Sequence, residues 1–281
     1  MMKLCFNATT LRYIDIMVAV REIKKSGYDA VEIALNDTHL HPYQSSDQKI
    51  RDVKDLCESI GLVIACVAAG GPNYLTSENY EPSMISRDQK GRRQRLDSYK
   101  AAIELGQKIG APNVNINTGI LRSNVIEEEA YIMLRTGLEE LIAECSDDIC
   151  LVLEQEPGFY VGTTETALQI IQDMRSPKLM FNLDIGHVFC CEPAEECYDN
   201  VARSMPYTRH IHIEDIKNRI HFHEIPGEGD IDWKRILKII HDSGYEHYVC
   251  VELHNHDKVW HDALDKSYAF IRNLEKEMGY A

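Results

Sequence analysis

Four residues in the C-terminal half of this chain carry side chains suited to a divalent metal. They are Glu154 in LVLEQEP, Asp184 in FNLDIGH, His212 in HIHIED and Glu252 in CVELHNH. Each lies at the end of a short β-branched run, with a helix-like stretch before the next. Three carboxylates brought to one place repel one another unless a cation stands between them. Carboxylates combined with an imidazole and water suit a divalent ion. Asp184-Ile-Gly-His187 adds a second imidazole just past the second of these runs, within reach of a metal-bound substrate.

Around these four the spacing leaves choices open. Glu154 and Glu156 are two residues apart, so on a strand they share a face. Either can bind an ion while the other orders substrate; Glu154 is the expected ligand. His210 and His212 alternate onto one face in the same way, and His212 lies nearer the strand end. Asp215 is placed to orient that imidazole through its second nitrogen, as carboxylates behind metal-bound histidines do. Farther on, HFHEIPGEGDIDW brings His221, His223 and Glu224 with a PGEG turn, and His223 is the member expected to reach metal or substrate. Asp232 reads as the cap of the following helix. His254 and His256 read as rim residues, and Cys190 and Cys191 as buried, inert thiols.

To meet, these residues need a frame that gathers strand ends on one face. Extended segments recur at KLCFN (3–7), DAVEIAL (29–35), LVIACVA (62–68), NVNIN (113–117), CLVLEQE (150–156), LMFNLD (179–184), HIHIED (210–215) and HYVCVEL (247–253). Helical patterns lie between them at Arg12–Ser26, Asp47–Ile60, Lys90–Ile109, Glu127–Glu144, Thr164–Met174, Ala194–Ser204, Trp233–His241 and His261–Met278. Gly27, Gly61, Gly110 and Gly244 each stand between a helical pattern and the next strand, where a helix ends in a left-handed residue. This alternation predicts an α/β fold, a (β/α)8 TIM barrel occupying 1–281 as a single domain. The missing GxGxxG after the first strand argues against an open dinucleotide-binding sheet. Two irregular stretches follow strands on the site face, Ala69–Gln89 and Lys217–Asp230, the first read as a lid.

The chain has 281 residues, an apolar fraction of 44% and a net charge of −15. That charge argues against nucleic acid and anionic membranes as partners. Nine scattered cysteines without finger spacing argue for reduced thiols. MMKLCFNATTLRYID lacks the apolar core of a signal peptide, and no apolar run approaches the roughly 20 residues of a membrane span, so a cytoplasmic location is expected.

LVLEQEPGFYVGT, FNLDIGHVF, RHIHIEDIKNRIHFHEIPGEGDIDW and YVCVELHNH, with GYDAVEIAL near the second strand, resemble the xylose isomerase-like TIM-barrel superfamily of sugar-phosphate isomerases and epimerases. That superfamily includes ketose 3-epimerases, inosose dehydratase and endonuclease IV-type enzymes. The resemblance to ketose epimerases implies that Glu154, Asp184, His212 and Glu252 hold one divalent ion, often manganese, with magnesium, cobalt and zinc also compatible. It implies substrate contacts from Glu32 and His187. The epimerases also place an arginine after the histidine ligand; here Lys217 and Arg219 lie nearby in a different register. The substrate-binding set expected is therefore Glu32, Glu156, Lys217, Arg219 and His223, with a small carbohydrate as substrate and a homodimer or homotetramer as assembly. The endonuclease IV-type site takes further histidines after strands three and four, where this chain has VAAGGPNY and NVNINTG, so a trinuclear phosphodiesterase is disfavoured.

The activity so implied is isomerisation or epimerisation of a polyhydroxy carbonyl compound. Glu154 and Glu252 would transfer the proton next to the carbonyl through a metal-stabilised enediolate, and His187 would steady the developing oxyanion. A dehydratase acting on an inosose-like substrate shares every ligand and needs an added acid, for which His223 or Glu156 serves. A barrel that binds a metabolite without turnover is the alternative outside enzymology.

Overall fold

The run CLVLE is buried along its whole length, as it must be where one face of a parallel strand fills a barrel and the other packs on helices. It forms β5 (Cys150–Glu154) of a closed barrel, in the computed structural model that describes residues 1–71, 75–78 and 80–280. The other barrel strands are β1 (Lys3–Asn7), β2 (Ala30–Ala34), β3 (Val63–Ala68), β4 (Asn113–Ile116), β6 (Leu179–Asp184), β7 (Thr208–Ile213) and β10 (Tyr248–Val251). They pair in parallel in chain order, and β10 closes the ring on β1. Outside the ring, β8 (Asp215–Lys217) and β9 (Ile220–Glu224) form an antiparallel hairpin.

Helices α1 (Ile16–Lys25), α2 (Asp47–Ser59), α3 (Gln89–Ile109), α4 (Glu127–Glu144), α5 (Thr164–Met174), α6 (Ile185–Cys191), α7 (Cys197–Ser204), α8 (Trp233–Asp242) and α9 (Trp260–Glu277) complete the chain. Each long helix lays an apolar stripe on the barrel. In α1 the buried residues are Ile16, Ala19, Val20 and Ile23, the spacing of one helical face. Helix starts follow the capping chemistry of the sequence: Asp15, Ser46, Asp88, Thr163 and Asp232 each accept a backbone N–H of the helix they open. Gly27, Gly61, Gly110 and Gly244 all have positive φ, and Gly110 ends α3 at φ 82°.

Three boundaries differ from the sequence expectation. β5 stops at Glu154, so Glu156 lies in the loop beyond it. The helix expected over 194–204 is preceded by α6, which begins directly on Asp184; the Asp184 side chain caps it. The stretch 217–230, expected to be irregular, contains the hairpin, whose two-residue turn puts Asn218 at φ 53° and Arg219 at φ 61°. A turn with both central residues left-handed matches the twist of its strands. The expected lid over 69–89 includes Pro72, Asn73, Tyr74 and Asn79, which lie outside the described residues. Among the described residues, no helix is long and apolar enough to cross a membrane.

Candidate metal centre

Register brings the four expected ligands together. Asp184 pairs with His212 across β6 and β7, Glu154 ends β5, and Glu252 follows β10, its backbone N–H donating to Ile213 O at 3.1 Å. His212 Nδ1 lies 2.9 Å from Glu154 Oε1, 3.5 Å from Glu252 Oε2 and 3.7 Å from Asp184 Oδ2. One donor atom from each of the four lies within 4.8 Å of all the others.

The opposite edge of each side chain is tied back. Asn115 Nδ2 donates to Glu154 Oε2 at 2.7 Å, and Asn7 Nδ2 donates to Glu252 Oε1 at 2.8 Å. The His187 backbone N–H donates to Asp184 Oδ1 at 2.8 Å. His212 Nε2 donates to Glu32 Oε2 at 2.8 Å, and His210 Nε2 approaches the same oxygen at 2.8 Å. A carboxylate on one imidazole nitrogen orients the ring and, once the second proton is released, leaves the other, here Nδ1, free to bind an ion.

Electrostatics point the same way. Burial and then the Glu154 carboxylate push Asp184 up to about 8. Burial would lower His212, but the Glu32, Glu252 and Glu154 carboxylates outweigh it and hold the imidazole well above its usual range. Burial would raise Glu252, and His212 outweighs that to keep it low. Asp184 Oδ2 is buried and accepts no hydrogen bond. An orphaned oxygen, converging carboxylates and an imidazole nitrogen turned towards them fit a divalent ion that takes the place of the imidazole proton.

The centre forms the floor of a cavity of about 550 Å³. Its lining includes Glu154, Glu156, His187, His223, Glu252 and His254, together with Arg12, Asn36, Asp37 and Tyr80. Burial raises Glu156 well above the carboxylate range, and the neighbouring Glu154, Glu252 and Asp184 charges raise it further.

Several expected contacts fall elsewhere. Glu32 is fully buried beneath the centre, does not line the cavity and is occupied by His210 and His212, so its place is behind His212 and not at the cavity surface. Lys217 is exposed on the hairpin, outside the cavity lining. Arg219 turns back to the carbonyls of Cys190 and Glu192 because the left-handed turn aims it there. Asp215 does not reach His212; its carboxylate accepts the N–H groups of Ile216, Gly227 and Ile231 and the Trp233 indole. Cys190 is half-buried and Cys191 exposed, because they fall on the last turn of the short α6.

His187 is on the cavity wall, but its bonding reverses the role expected of it. Its Nδ1 lies 2.7 Å from Gln155 O, a contact only an N–H can make. Burial, the largest effect, holds His187 down to about 3, so the ring is neutral and Nε2 carries a lone pair. A lone pair accepts a hydrogen bond or a cation and cannot donate to an oxyanion.

Sequence reading missed the residues that hold the ligands: Asn7, Asn115, Gln155 and Glu214. Gln155 grips the end of β6 at two points, donating to Asp184 O at 2.7 Å and accepting from Asp184 N at 3.4 Å. Glu214 is fully buried beside Asp184, and burial followed by the Asp184 charge raises it well above its usual range. Gly186 makes room for it, since a Cβ there would stand 1.8 Å from Glu214 Oε1. The available signal was the inward parity of Asn7 and Asn115 on their strands. Gln155 and Glu214 carried none, because their places depend on where β5 and β7 stop.

A family model described as xylose isomerase-like TIM barrel matches residues 20–274. The chain belongs to this family, which is one of enzymes. It is 28% identical over 251 residues to fructoselysine 3-epimerase of Shigella flexneri, covering 85% of this chain and 86% of that protein. It is 24% identical over 264 residues to inosose isomerase of Bacillus subtilis (strain 168), covering 90% and 89%. Among solved structures, the IOLI protein with a binding zinc atom superposes with a TM-score of 0.81 at 20% identity, over 98% of this chain and 99% of that one, a likeness of fold.

Proposed function

We propose that this enzyme is a metal-dependent isomerase or epimerase of a small sugar or related polyhydroxy carbonyl compound, acting by proton transfer at the carbon next to the carbonyl. The observation that carries the reading is the convergence of Glu154, Asp184 and Glu252 on His212 Nδ1 at a cavity that Glu154 and Glu252 line. The relatives named as a sugar 3-epimerase and an inosose isomerase support it, as do the acidic and amide side chains of the wall. A divalent ion held by these four residues supplies Lewis-acid polarisation of the substrate carbonyl.

The chain's own groups do the rest. Glu154 and Glu252 come from separate strands and both face the cavity, so one removes the proton and the other returns it. Return from the opposite face gives the epimer; return by the same carboxylate to the neighbouring carbon gives the isomer. Asn115 and Asn7 hold these carboxylates in place. Glu156, kept neutral, donates a hydrogen bond to a substrate oxygen. His187 Nε2 accepts, and His223 narrows the same wall.

The experiment is incubation of the manganese-loaded enzyme in D2O with a panel of free and phosphorylated ketoses, ketosamines and inososes, read by proton NMR. The expected result is deuterium at the carbon next to the carbonyl together with an epimer or isomer. Loss of water with a new ultraviolet-absorbing product assigns the dehydratase chemistry instead. Absence of exchange across the panel, with or without the ion, contradicts the proton-transfer reading.

A further inference from the structure

Among the residues that line the cavity, Tyr80 stands in a conformation that a tyrosine seldom takes. Its φ is 63°, in the left-handed region, where a residue with a Cβ is strained and glycine is favoured. Such strain persists only where the surroundings over-determine it, and it gathers at binding and catalytic sites. Here the chain beyond Tyr80 is fixed. Glu81 accepts the Ser83 N–H at 3.1 Å on one carboxylate oxygen and the Arg122 guanidinium at 3.3 Å on the other. Its carbonyl accepts the Thr76 hydroxyl at 2.7 Å, and the buried Arg95 donates from Nε to Pro82 O at 2.8 Å.

The ring is fixed as well. It meets Phe159 edge-on, with ring centroids 4.7 Å apart and planes at 78°. Phe159 belongs to the turn that follows β5, where its N–H donates to Glu156 O at 3.0 Å and the Glu156 N–H donates to Val161 O at 3.0 Å. Tyr80 is thereby joined to the turn that carries Glu156. The hydroxyl is left over, with no hydrogen-bond partner among the described residues. Burial, and then the Glu156, Glu252 and Glu154 carboxylates, push the phenol up to about 12, so it keeps its proton beside the carboxylates of the site. Packing on Phe159 accounts for the ring alone. A phenylalanine would serve that purpose, and neither the hydroxyl nor the strained backbone would be needed.

We propose that Tyr80 contacts the substrate: its hydroxyl donates a hydrogen bond to a hydroxyl oxygen of the carbohydrate, on the side of the cavity that Glu156 occupies. This contact presupposes the reading of the cavity as a carbohydrate site. A site that donates to one hydroxyl loses the bond when that hydroxyl is absent or inverted, so Tyr80 selects among hydroxyl patterns. The bond is made to an oxygen that does not react, in ground state and transition state alike, and therefore acts on KM and not on kcat.

The test compares the manganese-loaded full chain with Tyr80→Phe, which keeps the ring on Phe159 and removes the hydroxyl. Binding of the same panel of free and phosphorylated ketoses, ketosamines and inososes is measured by saturation-transfer NMR, and turnover by proton NMR. For the compound that the wild type binds most tightly, Tyr80→Phe is expected to raise Kd, and KM where turnover occurs, by about 3–10-fold, the usual worth of a neutral hydrogen bond. The kcat, bound manganese and far-UV spectrum are expected to stay unchanged. Among monodeoxy analogues of that compound, the one lacking the contacted hydroxyl is expected to bind both proteins equally, which a role in packing would not produce. Equal Kd of the parent compound for wild type and Tyr80→Phe overturns the proposal, as does a Tyr80→Phe effect that every deoxy analogue retains. Weaker binding by Tyr80→Phe in an enzyme that shows no proton exchange leaves the contact standing and removes the epimerase reading. Binding of no panel compound by the wild type removes both.

Discussion

Glu252 illustrates how one side chain serves two purposes: Oε1 is pinned by Asn7 while Oε2 faces His212 and the cavity. Glu252→Gln keeps the shape and removes the negative charge. Turnover is expected to fall by about 10²–10⁴-fold, the usual contribution of a general base, with an unchanged far-UV spectrum. Glu32 provides the complementary case, a charged residue that sequence likeness put against substrate and the fold puts underneath. Burial would raise Glu32, but His212 and His210 outweigh it and keep it ionised, which is the state that orients the His212 ring. Glu32→Gln is expected to weaken metal affinity by about 10–100-fold, the usual cost of losing such a partner, with KM at saturating metal unchanged. A raised KM with unaltered metal affinity restores Glu32 as a substrate contact. The four proposed ligands were legible as residues because each ends a β-branched run. Their supports were not, since the contacts of Asn115 with Glu154 and of Gln155 with Asp184 depend on the register between neighbouring strands, which periodicity does not display.

Among elements, the hairpin of β8 and β9 matters most, because it carries His223 to the cavity wall, with His221 against it. It escaped sequence reading for a physical reason: its turn is Asn218-Arg219, both left-handed, and the usual marker of such a turn is a glycine in the second place. The hairpin's anchor is Asp215, whose carboxylate collects three backbone N–H groups and the Trp233 indole. Removing it orphans these donors, each at about 1–3 kcal/mol. Asp215→Ala is therefore expected to cost roughly 3 kcal/mol or more of stability by urea unfolding, and to loosen the His221 and His223 pair. Retained stability would show that the donors find water and that the hairpin is not anchored there. By contrast β1 to β7, β10 and the long helices followed their periodicity closely, because burial of one face leaves the pattern in the sequence.

At the scale of the whole molecule the barrel gathers buried carboxylates whose repulsion acts against the fold until an ion arrives. Asp184, pushed up from 3.8 to about 8, binds a proton in the native chain that the unfolded chain has released. Through this group the metal-free protein loses stability as pH rises from about 4 to about 8, and changes little above that. Ion binding must expel this proton and the one His212 carries, so affinity is expected to rise as pH rises towards 8. Manganese affinity measured at several pH values tests the sign; a flat profile contradicts it. The net charge of −15 adds a broad field that favours cations over anions in the cavity. The measurement that addresses the central claim most directly is manganese bound per chain by wild type and by His212→Ala, after stripping and reloading. The wild type should hold one ion at the oxygen-rich centre and the variant none. A wild type that binds no manganese, or a folded variant that binds as much as the wild type, contradicts the account.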